Sequence, residues 1–356
     1  MKDLFHKQTS TRLRKLLAAC YTLFIVYASL TPFTGWREQG LNFIDVLLAP
    51  PGLTYTLFDT VVNFLAYLPF GLLTGLILRT YFGTWTSVIL GSCVGVLLSG
   101  SMEFLQMYLP SRTSSNVDIL SNGTGTVAGT LVSLRLATWE MGTSWIMHWR
   151  RSLFQHGKEA DFALMLIALW GFAQINPSLP MLGNVFIAEL ARQPFVAPPP
   201  SIFDWWQSGA VALNLLMLGT LLLTLLSHPH HTVSATVIVL CLVALVKFIA
   251  AAILLKSWAL LLWINSEAML GILAGMSVLY AVIRLPRFAV LFIGTLSATT
   301  YLVIMNLVLD YSTPAASMSI YHWHYRHLLN YNGLAQTILL CFPALLIFHL
   351  WRVRKV

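Results

Sequence analysis

Charge is scarce in this chain, and negative charge is scarcest. Charged residues make up 10% of the 356, with 21 Lys and Arg against 13 Asp and Glu. A soluble domain carries about 25% charged residues. The shortage, together with 57% hydrophobic residues and a mean hydropathy of +0.75, excludes a water-soluble globular protein. The formal charge of +8 does not point to nucleic acid as a partner. The basic residues stand in short clusters at the ends of apolar runs, where they report membrane orientation.

Cysteine is nearly missing as well. Cys20, Cys93, Cys241 and Cys341 lie inside apolar runs with no paired spacing. That excludes a disulfide framework and a thiolate metal site, and leaves packing roles. The stretch Leu17 to Cys20 has the form of a lipoprotein cleavage box, yet Arg14 and Lys15 stand almost directly before it. A signal needs an apolar stretch of about 7–15 residues ahead of the cut, so the first helix reads as uncleaved. Also lacking are a nucleophile elbow, a phosphate loop, an HExxH and a dinucleotide fingerprint at any plausible depth. Two histidine runs, around His228, His230 and His231 and around His322, His324 and His327, have no acidic or cysteine companion nearby. No metal and no cofactor is expected.

What the chain has in abundance is apolar runs of membrane-spanning length, about 20 residues each. Ten are predicted, over residues 16–30, 60–78, 85–109, 119–136, 162–174, 210–226, 235–255, 258–283, 288–309 and 334–350. The expected fold is all-α: a polytopic integral membrane bundle of about ten transmembrane helices. With the amino terminus in the cytoplasm, fifteen of the 21 Lys and Arg fall inside, five outside, and Lys247 within a span. The excess of basic residues on that side places both termini in the cytoplasm. Tryptophans such as Trp36, Trp139, Trp205, Trp258 and Trp351 fall near span ends, as an interfacial belt does.

The organisation breaks once. Residues 139–161 form the longest cytoplasmic connection and hold His148, Trp149, Arg150, Arg151 and Lys158. A four-helix domain, 1–138, precedes this basic connection and a six-helix domain, 162–356, follows it. The connection reads either as an amphipathic helix on the inner leaflet or as a solvated linker.

Polar residues recur at one depth of the first domain. DTVVN opens the second span with Asp59 and Asn63, and DILSN opens the fourth with Asp118 and Asn122. Positions i and i+4 share a helix face, so each pair forms one polar stripe. The third span adds Glu103 and Gln106 near the same end, with Arg112 just beyond Pro110. Such groups are costly against lipid and turn inward to pair, which predicts a cavity open to the outside. Arg112 is the natural bidentate partner of Glu103 or Asp118. Taken singly, Asp59 and Asp118 are equally well read as helix caps. Asn63, Asn122, Glu103 and Gln106 lie too deep to cap. As a set, the seven residues read as a binding or reaction site, with structural polar contacts between helices as the competing reading.

These stretches resemble a known family. SLTPF, then DTVVNFLAYLPFGLLTG, then SGSMEFLQMYLPSRTSSNVDILSNGTGTVAG are similar to the VanZ family of bacterial membrane proteins, over about residues 16–138. The resemblance implies the bacterial inner (cytoplasmic) membrane and the cell envelope, and a link to resistance to the glycopeptide teicoplanin. It carries over Asp59, Asn63, Pro69, Gly71, Glu103, Gln106, Arg112, Asp118, Asn122 and Gly125. The six further helices fall outside it.

In the second domain, Lys247 and Glu267 flank a tight turn near Lys256 and Ser257 by nine and ten residues, so the spacing predicts a buried ion pair. Three functions remain open. The first is a membrane protein that binds, presents or transports an envelope lipid or glycan headgroup. The second is a membrane enzyme with Glu103 as general acid or base on a lipid-linked substrate. The third is a subunit of an envelope polymer assembly system with a protein partner.

Overall fold

The computed structural model describes residues 2–50, 57–138, 145, 148–150, 152–187, 203–309, 314–323 and 326–355. Much of the basic connection, including Trp139 and Arg151, and His324 of the second histidine run lie outside these residues. The described residues form helices, with two isolated bridges, Phe154 to Leu226 and Leu255 to Tyr321, and no strand. The chain divides into two compact units, residues 1–150 and 151–356.

The first unit holds α1 (Lys2–Leu30), α2 (Phe43–Leu48), α3 (Leu57–Leu78), α4 (Thr84–Gln106) and α5 (Asn116–Thr138). The second holds α6 (Lys158–Gln174), α7 (Trp205–Leu225), α8 (Thr232–Leu254), α9 (Ser266–Val282), α10 (Arg287–Leu307) and α11 (Arg326–Arg354). All ten expected spans are helical over most of their length. Seven of these helices, α1, α3, α4, α7, α8, α10 and α11, are long and apolar enough to cross a membrane. Leucines such as Leu65, Leu97, Leu242 and Leu296 are exposed along them, as lipid-facing side chains are.

The other three depart from that rule for separate reasons. Helices α6 and α9 have 17 residues each, about 25 Å of rise. Helix α5 is long enough but nearly half Ser, Thr, Gly and Asn. Its buried face is Ser121, Asn122, Gly123, Gly125, Thr126, Gly129, Thr130 and Ser133. The hydroxyls on that face answer their own backbone: Thr126 donates to the Asn122 carbonyl at 2.9 Å, Thr130 to Val127 at 2.8 Å and Ser133 to Thr130 at 2.6 Å. A polar helix face is thereby buried without orphan donors.

Small residues on α5 let it meet α3 backbone to backbone. A methyl group added at Gly125 would stand 2.2 Å from the Phe64 carbonyl oxygen, and one at Gly129 2.1 Å from that of Leu68. From the other side, a methyl at Gly71 would stand 2.1 Å from the Thr126 oxygen. Contact this close is the small-residue packing that associates helices where no hydrophobic drive exists between them. Around this pair, Ile25 and Leu30 of α1, Tyr67 and Phe70 of α3, Met102 of α4 and Leu109 form the apolar core.

In the second unit α7 is buried on nearly every side, from Ser208 through Leu225. A helix apolar all round belongs at the centre of a bundle. The cysteines are free; Cys93, Cys241 and Cys341 are exposed on their helices instead of packed, contrary to the sequence expectation.

One predicted span is corrected. Residues 258–283 are not one helix: Ser257–Ala259 is a short 3-10 turn, and α9 begins only at Ser266. Asn265 sets that start, its side chain accepting the Ala268 N–H at 2.9 Å.

Candidate functional site

The up-and-down course of the first unit brings four helix ends together: the end of α1, the start of α3, the end of α4 and the start of α5. The two DxxxN stripes and the Glu103–Gln106 pair sit at these ends, so chain topology alone puts them at one level. Contacts between them then select which groups meet.

Asn63 of α3 donates through Nδ2 to the Asp118 carboxylate of α5. Both residues are half-buried. One level deeper, Asn122 of α5 donates to Ser99 Oγ of α4 at 2.9 Å. Glu103, 3% exposed, accepts the backbone N–H of Ser115 at 2.8 Å through Oε2. Ser115 itself accepts the Val117 N–H at 3.2 Å, and the Ser114 hydroxyl donates to the Glu103 carbonyl at 2.9 Å. A carboxylate of α4 thus anchors the turn that starts α5, through a charge-assisted hydrogen bond.

Tyr67 of α3 completes the group. It is 4% exposed and stands next to Ser99 and Glu103. Its hydroxyl approaches Ser99 without reaching hydrogen-bond geometry, and it has no partner among the described residues. Asn122 Oδ1 is buried without a partner too. Two orphaned polar atoms in one helix junction are uncommon, since buried polar atoms are nearly always paired.

Arg112, read from the sequence as a partner of Glu103 or Asp118, hydrogen-bonds the end of α1 while its charge still acts on Glu103, and Gln106 reaches the same helix end. Arg112 donates from Nε to the Thr31 carbonyl at 3.0 Å and from Nη2 to the Ala28 carbonyl at 2.6 Å. Gln106 donates to the Ser29 carbonyl at 3.2 Å. Ala28 and Ser29 are in the last turn of α1 and Thr31 follows it directly, where carbonyls lack partners within the helix and carry the negative end of its dipole. A guanidinium fork suits them as well as it suits a carboxylate. Asp59 is half-buried in the first turn of α3, where the helix dipole favours it.

Above the junction lies a cleft of about 450 Å³. Asn42, Asp45, Thr113, Ser114, Ser115 and Asn116 contribute to its lining. Helix α2 forms one wall, started by Asn42, whose side chain accepts the Ile44 N–H at 3.1 Å. Asn116 ties the far end of α2 to α5 through the Leu47 and Ala49 carbonyls, at 3.1 and 2.7 Å. The floor of the cleft is the Ser114–Ser115 turn that Glu103 holds. Tyr67, Ser99, Asn42 and Asp45 were not among the residues singled out from sequence. The first two had a signal: Tyr67 continues the Asp59–Asn63 stripe by four residues, and Ser99 precedes Glu103 by four.

The predicted ion pair in the second unit is not formed. Lys247 donates to the Gln174 carbonyl at 2.9 Å and to that of Pro180 at 3.4 Å. Because α9 starts at Ser266, Glu267 lies in its first turn, accepting the Ser266 hydroxyl at 3.0 Å, and not ten residues deep. Among the described residues no three His, Cys, Asp or Glu gather in a metal-binding group.

The family model described as VanZ/LLP1 matches residues 4–139. That stretch contains every residue of the junction and stops before the second unit. No curated protein and no solved structure gives a match.

Proposed function

Since residues 4–139 are a VanZ-like unit of a helical membrane protein, we propose that its junction receives the polar headgroup of an envelope lipid or lipid-linked glycan. The observation that carries this reading is the pair of orphaned atoms, Tyr67 Oη and Asn122 Oδ1, buried in the junction whose Ser114–Ser115 turn lines an open cleft. A donor and an acceptor held in a largely apolar setting suit a ligand bearing hydroxyls or amines. The Asn63–Asp118 pair stands one level nearer the helix ends and offers a carboxylate for an amine.

On this reading the junction lies toward the outer face of the bacterial inner membrane, with both chain termini in the cytoplasm, and the unit binds, presents or moves its lipid. A glycopeptide-resistance role would follow from altered headgroup presentation. On this reading Glu103 supports the Ser114–Ser115 turn through its Oε2. The test is mass spectrometry of lipid retained by the purified full-length protein. Tyr67→Phe and Asn122→Ala should each reduce the retained headgroup class by about tenfold or more, the worth of one to two good hydrogen bonds. Retention unchanged in both variants would rule the reading out.

A further inference from the structure

Lys247 is 0% exposed, well inside α8, as fully buried as Asp161 in the first turn of α6. An ammonium at such a depth is costly unless something offsets its charge. Its hydrogen-bond partners are two carbonyl oxygens, Gln174 O at 2.9 Å and Pro180 O at 3.4 Å. Gln174 is the last residue of α6, so its carbonyl belongs to the negative end of a helix. Pro180 lies in residues 175–187, a stretch without helix in which Asn176, Ser178, Leu179, Leu182, Asn184 and Phe186 are all 3% exposed or less.

Non-helical backbone at membrane depth is tolerated only where protein covers it or where it lines a polar cavity. Here it is covered, and part of it is satisfied by side chains. The Leu182 N–H meets Gln174 Oε1 at 3.1 Å, and the Leu182 carbonyl accepts Asn214 Nδ2 at 2.9 Å. Two residues, one at the end of α6 and one on the stretch, are incompletely satisfied: Gln174 Nε2 and both amide atoms of Asn184 are buried without partners. A break after a helix carboxyl end, with backbone oxygens turned to one point, is the arrangement in which membrane proteins hold bare monovalent cations.

We propose that the carbonyls of Gln174 and Pro180 form a monovalent-cation site, and that the Lys247 ammonium fills it as a tethered ion. The unpartnered buried oxygen of Asn184 lies four residues beyond Pro180 on the same segment and is a candidate to complete the shell. On this assignment the ammonium holds the non-helical stretch against α8, and removing the side chain exposes a site that Na+ or K+ enters.

The experiment uses the full-length protein in detergent, melted in NaCl, KCl or choline chloride at equal concentration. Wild type should melt at the same temperature in all three. Lys247→Ala should lose several degrees in choline and regain most of them in Na+ or K+. Lys247→Met, whose side chain fills the space without a charge, should lose stability equally in all three salts. The assignment fails if Lys247→Ala melts alike in the three salts, or does not fold even in Na+ or K+. It fails equally if Lys247→Met is rescued by Na+ or K+, or if wild type itself needs them, because the ion would then bind elsewhere.

Discussion

Glu103 shows how little of a residue's role its identity reveals. A carboxylate inside an apolar helix suggests chemistry, yet here one of its oxygens organises a turn by accepting the Ser115 N–H. Glu103→Gln keeps an acceptor at that position and should change thermal stability little. Glu103→Ala orphans the N–H and should cost about 1–3 kcal/mol, measured as a fall in melting temperature of the detergent-solubilised protein. A stability loss of the same size in the Gln variant would show that the charge, and not the acceptor, matters. Arg112 makes the same point with opposite sign. The sequence reads it as the bidentate partner of Glu103 or Asp118, and it closes the end of α1 through the Ala28 and Thr31 carbonyls. Arg112→Ala should lower stability by about 1–3 kcal/mol, and Arg112→Lys should recover only part of it, since a single ammonium cannot fork across two carbonyls as a guanidinium does. Full recovery by Lys in a melting experiment would count against that geometry.

At the scale of helices, α5 is the element on which the first unit depends, and its contribution comes from what its side chains lack. Gly125 and Gly129 admit the α3 backbone, and Gly71 admits that of α5. Because the obstructing atoms are backbone oxygens, the helices must separate if a methyl is added. Gly129→Ala should therefore destabilise by about 1–3 kcal/mol and loosen the junction as a whole, reducing lipid retention along with stability. Gly100, on α4, has no atom within 4 Å of an added methyl. Gly100→Ala is the internal control and should be neutral or stabilise by about 0.5–1 kcal/mol through helix propensity. Equal behaviour of the two variants in thermal melts would refute the close-packing account. The α3–α5 stripes were legible as polar i, i+4 repeats, from Asp59 to Asn63 and from Asp118 to Asn122. That they would meet as Asn63 with Asp118, while Asn122 turned to Ser99, was not. Helix rotation within a bundle is set by packing, and a repeat of four residues leaves it undetermined by tens of degrees.

For the whole molecule, the distribution of basic residues predicts the orientation, and labelling checks it. Thr113 and His230 are both exposed. In a chain without its native cysteines, Thr113→Cys should react with a membrane-impermeant maleimide in intact cells, and His230→Cys only after permeabilisation. The reverse pattern would place the junction on the cytoplasmic face and remove its access to outward-facing headgroups. The two units carry their polar residues differently. The first gathers them at one end, beside a cleft. The second buries them around residues 175–187, where Asn176, Ser178, Tyr321 and Asn332 bond one another at 2.7–3.4 Å. In sequence these residues are isolated polar positions up to 156 apart, with no spacing to connect them.

Composition alone determined the solvent and the class of fold, because a chain with this little charge cannot cover itself in water and must satisfy its backbone in helices. Spacing determined which end of the first unit is polar, because an alternating course of spans brings successive helix ends to a common level. Partners were decided only by the tertiary structure. Arg112 went to a helix end, Lys247 to two carbonyls and Glu103 to a backbone amide, because in an apolar interior each polar group bonds the nearest unsatisfied atom, and nearness depends on how helices far apart in the chain have packed.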